Sequence, residues 1–358
     1  MNSRVSQLRA LMSGDNLSHA LITDNTDIEY ISGFRSSNAT LLLSQEKGYL
    51  FTDFRYRSVA QEFCAHNPLY EFIEIKDKNY RFLSQYLKKG SVAGIQTNVL
   101  TMDHYRELKK ACEGVRFVSI SEHLLTISVT KFPEEISSMQ KAAQIGDRAF
   151  EAVLPKIRLG MTEIELAKSL DSLCSEFGSE KPSFDTIVLF GKRTALPHGR
   201  PGKSRLAPND LILFDFGCTV ENFCSDMSRA IVAGKADDQQ QKIYSVVYQA
   251  QAKAREAVKA GTECKAVDAA ARDHIKEAGY GSAFGHATGH GLGLRIHEKP
   301  RIKAENESVL SENSVITIEP GIYLEEVGGV RIEDMVVVVN NGSKLLTHSP
   351  RKLIELGL

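Results

Sequence analysis

Leu211-Ile212-Leu213-Phe214-Asp215-Phe216-Gly217 is an apolar run of strand length that ends on a carboxylate and a glycine. A carboxylate at the end of a buried strand is unfavourable unless something neutralises it. Four more residues repeat that situation. Asp226 opens Asp226-Met227-Ser228-Arg229-Ala230-Ile231-Val232, and His290 lies in Thr288-Gly289-His290-Gly291-Leu292-Gly293. Glu319 follows Val315-Ile316-Thr317-Ile318, and Glu333 precedes Asp334 and the run Met335-Val336-Val337-Val338-Val339. Four carboxylates and one imidazole are a hard, oxygen-rich donor set, suited to a pair of Mn²⁺, Co²⁺, Fe²⁺ or Mg²⁺ ions. A pair of cations with histidines beside it is equipped for metal-assisted hydrolysis of an amide or a phosphoester.

The last two thirds of the chain repeat an order of elements. Arg158-Leu159-Gly160-Met161-Thr162-Glu163 leads into a helix with Ile164, Leu166, Leu170 and Leu173. Lys259-Ala260-Gly261-Thr262-Glu263 leads into one with Val267, Ala271, Ile275 and Ala278. Thr162 with Glu165 has the pattern of a capping box. Each helix is preceded by a long helix (about 133–155 and 237–259) and followed by a glycine-rich loop with histidine and then two strands. The first strand pair carries Asp215 and Asp226, the second Glu319 and Glu333. Two related halves facing each other would bring the four carboxylates to one point; the alternative is that Gly-Thr-Glu is merely a common helix start.

Each candidate also has a plainer reading. Asp215 and Asp226 are eleven residues apart, a spacing that suits a hairpin with both side chains at one level, yet each could end its own strand at the surface. Glu319 precedes Pro320-Gly321, so it could be a solvated turn residue, whereas Glu333 reads as lying within a strand. Glycines on both sides of His290 would let the backbone turn tightly there. His198, in Leu196-Pro197-His198-Gly199-Arg200-Pro201, is either a loop residue in solvent or part of the site. Cys218 and Cys224 lie between the two aspartates, but the six cysteines show no close pairing and read as reduced thiols rather than zinc ligands.

With 358 residues the chain suggests about two domains. A formal net charge of −1, 42% hydrophobic and 25% charged residues give no sign of a nucleic-acid or membrane surface. No run approaches the ~20 apolar residues of a membrane span, and Met1-Asn2-Ser3-Arg4-Val5-Ser6-Gln7-Leu8 lacks the apolar core of a signal peptide; the expectation is a cytoplasmic protein. Residues 1–128 read as an α/β unit. Its elements are a helix near Val5–Met12, strands at Ala20–Thr23, Thr40–Ser44, Gly48–Thr52 and Ala93–Ile95, and helices around Tyr56–Cys64, Tyr80–Lys89 and 103–113. Val129–Glu135 reads as the domain junction, with Pro133 opening the next helix.

The strings around Asp215, Asp226, His290, Glu319 and Glu333 resemble, in order, the ligand motifs of the pita-bread metallopeptidases. Ile28-Glu29-Tyr30-Ile31-Ser32-Gly33-Phe34 and Phe51-Thr52-Asp53-Phe54-Arg55-Tyr56 are similar to motifs of the creatinase-type N-terminal domain. The resemblance implies an α+β chain. Residues 131–358 would form a pita-bread catalytic domain with internal pseudo-two-fold duplication, and residues 1–128 a smaller creatinase-type α/β domain. It implies that Asp215 chelates one cation, His290 and Glu319 the other, and that Asp226 and Glu333 bridge, the cations being manganese (Mn²⁺) first and Co²⁺ or another divalent ion second. Glu319 would shuttle a proton. His198 and His297 would contact substrate and stabilise the tetrahedral intermediate, His286 would lie near the substrate, and Arg331 would buttress the bridging glutamate. The presence of the N-terminal domain points to the Xaa-Pro peptidases acting on proline-containing peptides, and a homodimer is implied. The leading expectation is an aminopeptidase P-like Xaa-Pro aminopeptidase. The alternative is a prolidase restricted to dipeptides, suggested by His297-Glu298-Lys299-Pro300-Arg301-Ile302, where Arg301 either meets a free carboxylate or sits in solvent. A metal-independent creatinase-like enzyme and a non-catalytic binding module are further readings, against both of which the complete acidic set argues.

Overall fold

The structure, a computed structural model, describes residues 3–76 and 79–358. The first two residues of the N-terminal stretch read above lie outside it. The chain divides into two compact units, Met1–Ile127 and Ser128–Leu358.

The first unit is a six-stranded mixed sheet: β1 (His19–Ile22), β2 (Ala39–Ser44), β3 (Gly48–Thr52), β4 (Tyr70–Glu74), β5 (Val92–Ile95) and β6 (Arg116–Ser119), in the order β4-β3-β2-β1-β5-β6. Helices α1 (Arg4–Gly14), α2 (Asn25–Ser32), α3 (Arg57–His66) and α4 (Met102–Ala111) pack on it, and α5 (Ser121–Val129) runs across the unit boundary. The helix expected over Tyr80–Lys89 is instead one short 3₁₀ segment, Arg81–Gln85. Tyr80, Leu83 and Leu87 are buried with the helical spacing that suggested it. Asn79 Oδ1 accepts from Arg81 N at 3.1 Å, but Tyr80 adopts a left-handed conformation (φ 58°), which a right-handed helix excludes, so the segment cannot begin at Tyr80.

The second unit starts as Pro133 predicts. Helix α6 (Pro133–Val153) has the proline in its first turn, and the Glu135 carboxylate accepts from Phe132 N at 2.7 Å. Helix α7 (Glu163–Glu176) opens with the expected capping box between Thr162 and Glu165. Strands β7 (Ile187–Phe190), β8 (Leu211–Phe216), β9 (Thr219–Val220), β10 (Phe223–Cys224) and β11 (Met227–Val232) follow. The second half repeats the plan with α8 (Asp238–Ala257), α9 (Cys264–Glu277), β12 (Gly289–Gly291), β13 (Glu298–Ile302), β14 (Val315–Ile318), β15 (Gly321–Leu324), β16 (Gly328–Arg331), β17 (Asp334–Val339) and β18 (Gly342–Leu345).

The duplication is explicit in the strand pairing. β7, β8 and β11 form an antiparallel sheet with β8 in the middle; β12, β14 and β17 form the same arrangement with β14 in the middle, extended by β13 and β18. The halves join where Glu333 N donates to Ser228 O at 3.1 Å. Each sheet is covered by its own helix pair. Leu166, Leu170 and Leu173 of α7 pack with Val188, Ile212 and Phe214, while Val247, Ala250 and Ala254 of α8 pack with Ile316, Val336 and Val338. Burial of Met335–Val338 on both sides explains why that run does not alternate.

Three local expectations change. The hairpin register pairs Asp215 with Ser228 rather than with Asp226, and the β9–β10 ribbon intervenes at its tip. Asp226 therefore stands two residues from that pair, on the same face by the period of two. Glu333 lies in a break between β16 and β17, not inside a strand. His290 lies in a strand, and its flanking glycines do not turn the chain. A Cβ on Gly289 would fall 1.9 Å from Thr317 O and one on Gly291 2.1 Å from Lys299 O, so glycine is required by close strand approach.

Gly217 is constrained in the same way, since an added Cβ would sit 1.9 Å from Ser225 O. Gly217→Ala is expected to destabilise the protein by about 1–3 kcal/mol, as overpacking of a tight contact does. Denaturant titration checks this, and an unchanged midpoint contradicts the stated constraint.

Candidate metal centre

The five expected ligands converge on one cavity of about 350 Å³, whose wall also includes Phe184, His198, His286, His297, Arg301 and Arg331. Asp226, His290 and Glu333 offer ligand atoms all within 4.8 Å of one another. His290 Nε2 is 3.5 Å from Asp226 Oδ2 and 3.6 Å from Glu319 Oε1. Asp215 stands apart from this cluster, because Arg331 Nη2 donates to its Oδ2 at 2.7 Å.

Why each side chain points there follows from the strands. Asp215 projects from the middle strand of the first sheet, and Glu319 follows the middle strand of the second. His290 is held by its own backbone: its N–H donates to Thr317 Oγ1 at 3.1 Å, and ring Nδ1 lies 3.0 Å from Gly291 O. A carbonyl can only accept, so Nδ1 carries the proton and Nε2 presents its lone pair to the carboxylates. Burial pushes the His290 pKa down to about 3, which keeps the ring neutral and able to bind a cation.

The carboxylates are under electrostatic stress. Burial, then the charges of Glu333, Asp215 and Glu319, raise the Asp226 pKa well above its ordinary value. Burial, then Glu319 and Asp215, do the same to Glu333, and burial raises Glu319 to about 7. Arg331 opposes these shifts, and Arg301 adds to it at Glu319, but two guanidinium groups do not balance four carboxylates. Glu333 Oε2 accepts from Ser228 Oγ at 2.7 Å, whereas its Oε1 is buried without a hydrogen-bond partner. A buried acceptor atom left unpartnered beside a lone-pair nitrogen and two more carboxylates fits a site for divalent cations.

The surrounding shell was less legible. Arg331, expected against the bridging glutamate, reaches Glu333 only through Ser228: its Nε donates to Ser228 Oγ at 2.7 Å, and its direct ion pair is with Asp215. Its Nη1 donates to Tyr323 Oη at 2.8 Å, and Tyr323 Oη is 2.9 Å from His286 Nε2. With Nδ1 against Ala287 O at 2.8 Å, both nitrogens of His286 are occupied. It therefore supports the site and does not present a free ring edge. Ser228, Tyr323 and Thr317 were not identified from the sequence, because a serine, tyrosine or threonine in a strand carries no signal of its partner. Also unforeseen was the fully buried Arg229, which donates to Glu333 O and, at 2.7 Å, to Asp334 Oδ1. It holds the backbone of Glu333 from behind. His198, His297 and Arg301 are exposed toward the cavity, and the His297 ring stacks edge-on against His290 with centroids 4.5 Å apart. All six cysteines are free, and Cys218 is packed in the core between α7 and β8, remote from any ligand role.

Comparison with known proteins agrees with this architecture. Residues 137–340 match the model of metallopeptidase family M24, and residues 4–127 match the creatinase/prolidase N-terminal domain. The chain belongs to the M24 metallopeptidases. It is 36% identical to the Xaa-Pro dipeptidase of Pyrococcus horikoshii over 356 residues, covering 99% of each chain. Among solved structures it resembles an Xaa-Pro dipeptidase from Bacillus anthracis (TM-score 0.94, 34% identity, 99% of each chain). It also resembles an X-Pro aminopeptidase from Thermotoga maritima (TM-score 0.90, 35% identity, 98% of this chain and 99% of that one). Among the described residues no helix is long and apolar enough to cross a membrane.

Two outcomes follow from the geometry. Divalent cation should raise the thermal midpoint, and exhaustive chelation should lower it, because cations relieve the mutual repulsion of buried carboxylates; calorimetry with and without Mn²⁺ measures this. Ser228→Ala should weaken metal affinity about 10–100-fold, as loss of an outer hydrogen bond to a ligand does, with isothermal titration as the readout.

Proposed function

We propose that this metallopeptidase is an Xaa-Pro dipeptidase that hydrolyses the bond before proline in a dipeptide, using two divalent cations, manganese first. Asp215, Asp226, His290, Glu319 and Glu333 would hold the pair, with Asp226 and Glu333 shared between the two ions. When bound, the cations supply Lewis-acid polarisation of the scissile carbonyl and lower the pKa of water. The remaining chemistry falls to side chains of this chain. Glu319, reaching into the cavity from the end of β14, would take a proton from the water whose oxygen bonds to the scissile carbonyl carbon, and give it to the proline nitrogen as the C–N bond breaks. His198 and His297 face the same cavity and donate hydrogen bonds to the carbonyl oxygen as its negative charge develops. Arg331 and Ser228 keep Asp215 and Glu333 in place.

The observation that carries the dipeptide reading is Arg301. It lines the cavity that holds the acidic residues, and no ion pair to its guanidinium is present among the described residues. A dipeptide carries its free carboxylate one residue past the scissile bond, and an arginine can take a carboxylate with two parallel hydrogen bonds. A longer peptide has a neutral amide there. The dipeptidase names of the Pyrococcus and Bacillus relatives support the same order. This order reverses the expectation from the sequence, in which the aminopeptidase leads. The name of the Thermotoga structure keeps that reading as the second one. A homodimer belongs to the proposal on resemblance alone, and a cytoplasmic location on the reading of the cysteines as reduced thiols.

The test compares an Xaa-Pro dipeptide with an Xaa-Pro-Yaa tripeptide in Mn²⁺. The dipeptide should be the better substrate, and Arg301→Ala should raise its KM about tenfold or more, the worth of a hydrogen bond to a charged group. Preference for the tripeptide with an indifferent Arg301→Ala variant would return the aminopeptidase reading. No metal-dependent cleavage of either, with no bound metal, would favour a creatinase-like or non-catalytic protein.

A further inference from the structure

His198 and His297, both exposed toward the cavity, sit on loops, and a catalytic ring on a loop needs something to hold it. For His198 the structure contains such a device outside the site. The loop from Phe190 to Gly202 carries Pro197-His198, and its two ends meet on one buried carboxylate, Glu163, in the first turn of α7. The Glu163 side chain is fully buried. Its Oε1 accepts from Phe190 N at 3.0 Å and its Oε2 from Gly202 N at 2.7 Å. Arg193 Nε donates to both oxygens, at 2.9 and 3.1 Å, and Arg193 Nη2 reaches across the loop to Arg200 O at 2.8 Å. The helix start answers in kind: Ile164 N donates to Gly202 O and Glu163 N to Ser204 O, each at 3.2 Å.

The loop is thus closed at its base by a single side chain and cross-tied by an arginine, with His198 two residues from the tied Arg200 carbonyl. At its inner edge Arg331 Nη1 lies 3.4 Å from Pro197 O, so the loop tip also touches the network that holds Asp215. A helix-start carboxylate needed only for helix stability would sit in solvent, as Glu165 does. Glu163 is instead taken out of water and spends its oxygens on the loop.

We propose that Glu163, with Arg193, is a positioning residue that holds His198 at the reacting carbonyl. The proposal rests on the peptidase reading above for its kinetic arm and on geometry alone for its structural arm. Misplacing a catalytic group by an ångström can reduce turnover about a hundredfold. Glu163→Gln presents an NH₂ group to an amide donor or to Arg193, so one tie must break. It should therefore lower kcat by about tenfold or more while leaving KM within about twofold.

The decisive measurement is a pair of double-mutant cycles. In a His198→Ala background Glu163→Gln should have little further effect on kcat, because the group it positions is gone. In a His297→Ala background it should keep its full effect. Equal losses in both backgrounds, or an unchanged kcat in the single variant, would overturn the proposal. Should Glu163→Gln fail to fold, Arg193→Gln, which removes the cross-tie at a half-exposed position, runs through the same cycles. A structural readout separates this from the assignment of substrate. In spectra of ¹³C-labelled histidine, Glu163→Gln should move the His198 ring signal and leave those of His19 and His66 in the first unit in place. A stationary His198 signal refutes the positioning role even if no proline dipeptide is cleaved; a moved one upholds it where no dipeptide is cleaved and the cycles cannot be run.

Discussion

Four carboxylates around one neutral imidazole, in a cavity walled by two apolar sheets, are the arrangement on which the rest of this molecule depends. Asp226 and Glu333 are almost completely removed from water, and their charges oppose one another. With all its carboxylates charged such a cluster is unfavourable, and either protons or cations between its oxygens relieve it. The buried guanidinium of Arg331 is paired with Asp215. The orphaned Glu333 Oε1 marks where the compensation is incomplete.

The scaffold can be read as the means of holding that cluster together. Strands from two equivalent sheets deliver the candidate ligands, and the glycines at 217, 289 and 291 let backbones approach more closely than any side chain would permit. Behind the ligands lies a layer of buried, paired charges. Arg229 with Asp334 fixes the Glu333 backbone. Lys131 with Glu298 lies beneath the segment that carries His297, Glu298 also accepting from Arg295 N at 3.0 Å. Asp268 with Arg272 ties Thr288 and the His286 carbonyl, and Glu163 with Arg193 ties the His198 loop. Buried ion pairs are weak contributors to stability. Their recurrence beside the loops that bear histidines suits fixing positions, which catalysis requires to within fractions of an ångström.

Much of this was legible in the chain. Apolar runs ending in acids announced the ligand strands, the repeated Gly-Thr-Glu helix starts announced the duplication, and Pro133 marked the entry to the second unit. These signals are local or periodic, so sequence carries them directly. Other parts were misread for equally physical reasons. Tyr80–Lys89 has helical spacing, but the left-handed backbone at Tyr80 keeps that residue out of a right-handed helix. The glycines around His290 suggested a turn, because sequence shows that a residue is small without showing which neighbour requires it. The eleven-residue separation of Asp215 and Asp226 implied a simple hairpin, whereas the ribbon at its tip shifts the pairing to Ser228.

By itself the sequence determined the candidate donor set, its division between two related halves and the metallopeptidase class, because residue identity and periodicity are written in it. Tertiary structure alone decided which partners those donors have. Only the folded chain reveals that Arg331 binds Asp215 and reaches Glu333 through Ser228, that Tyr323 occupies His286, that Arg301 faces the cavity, and that Glu163 closes the loop of His198. These are contacts between residues from 27 to more than 100 positions apart. No local pattern encodes them, since each depends on how the strands register and on what burial leaves unpaired.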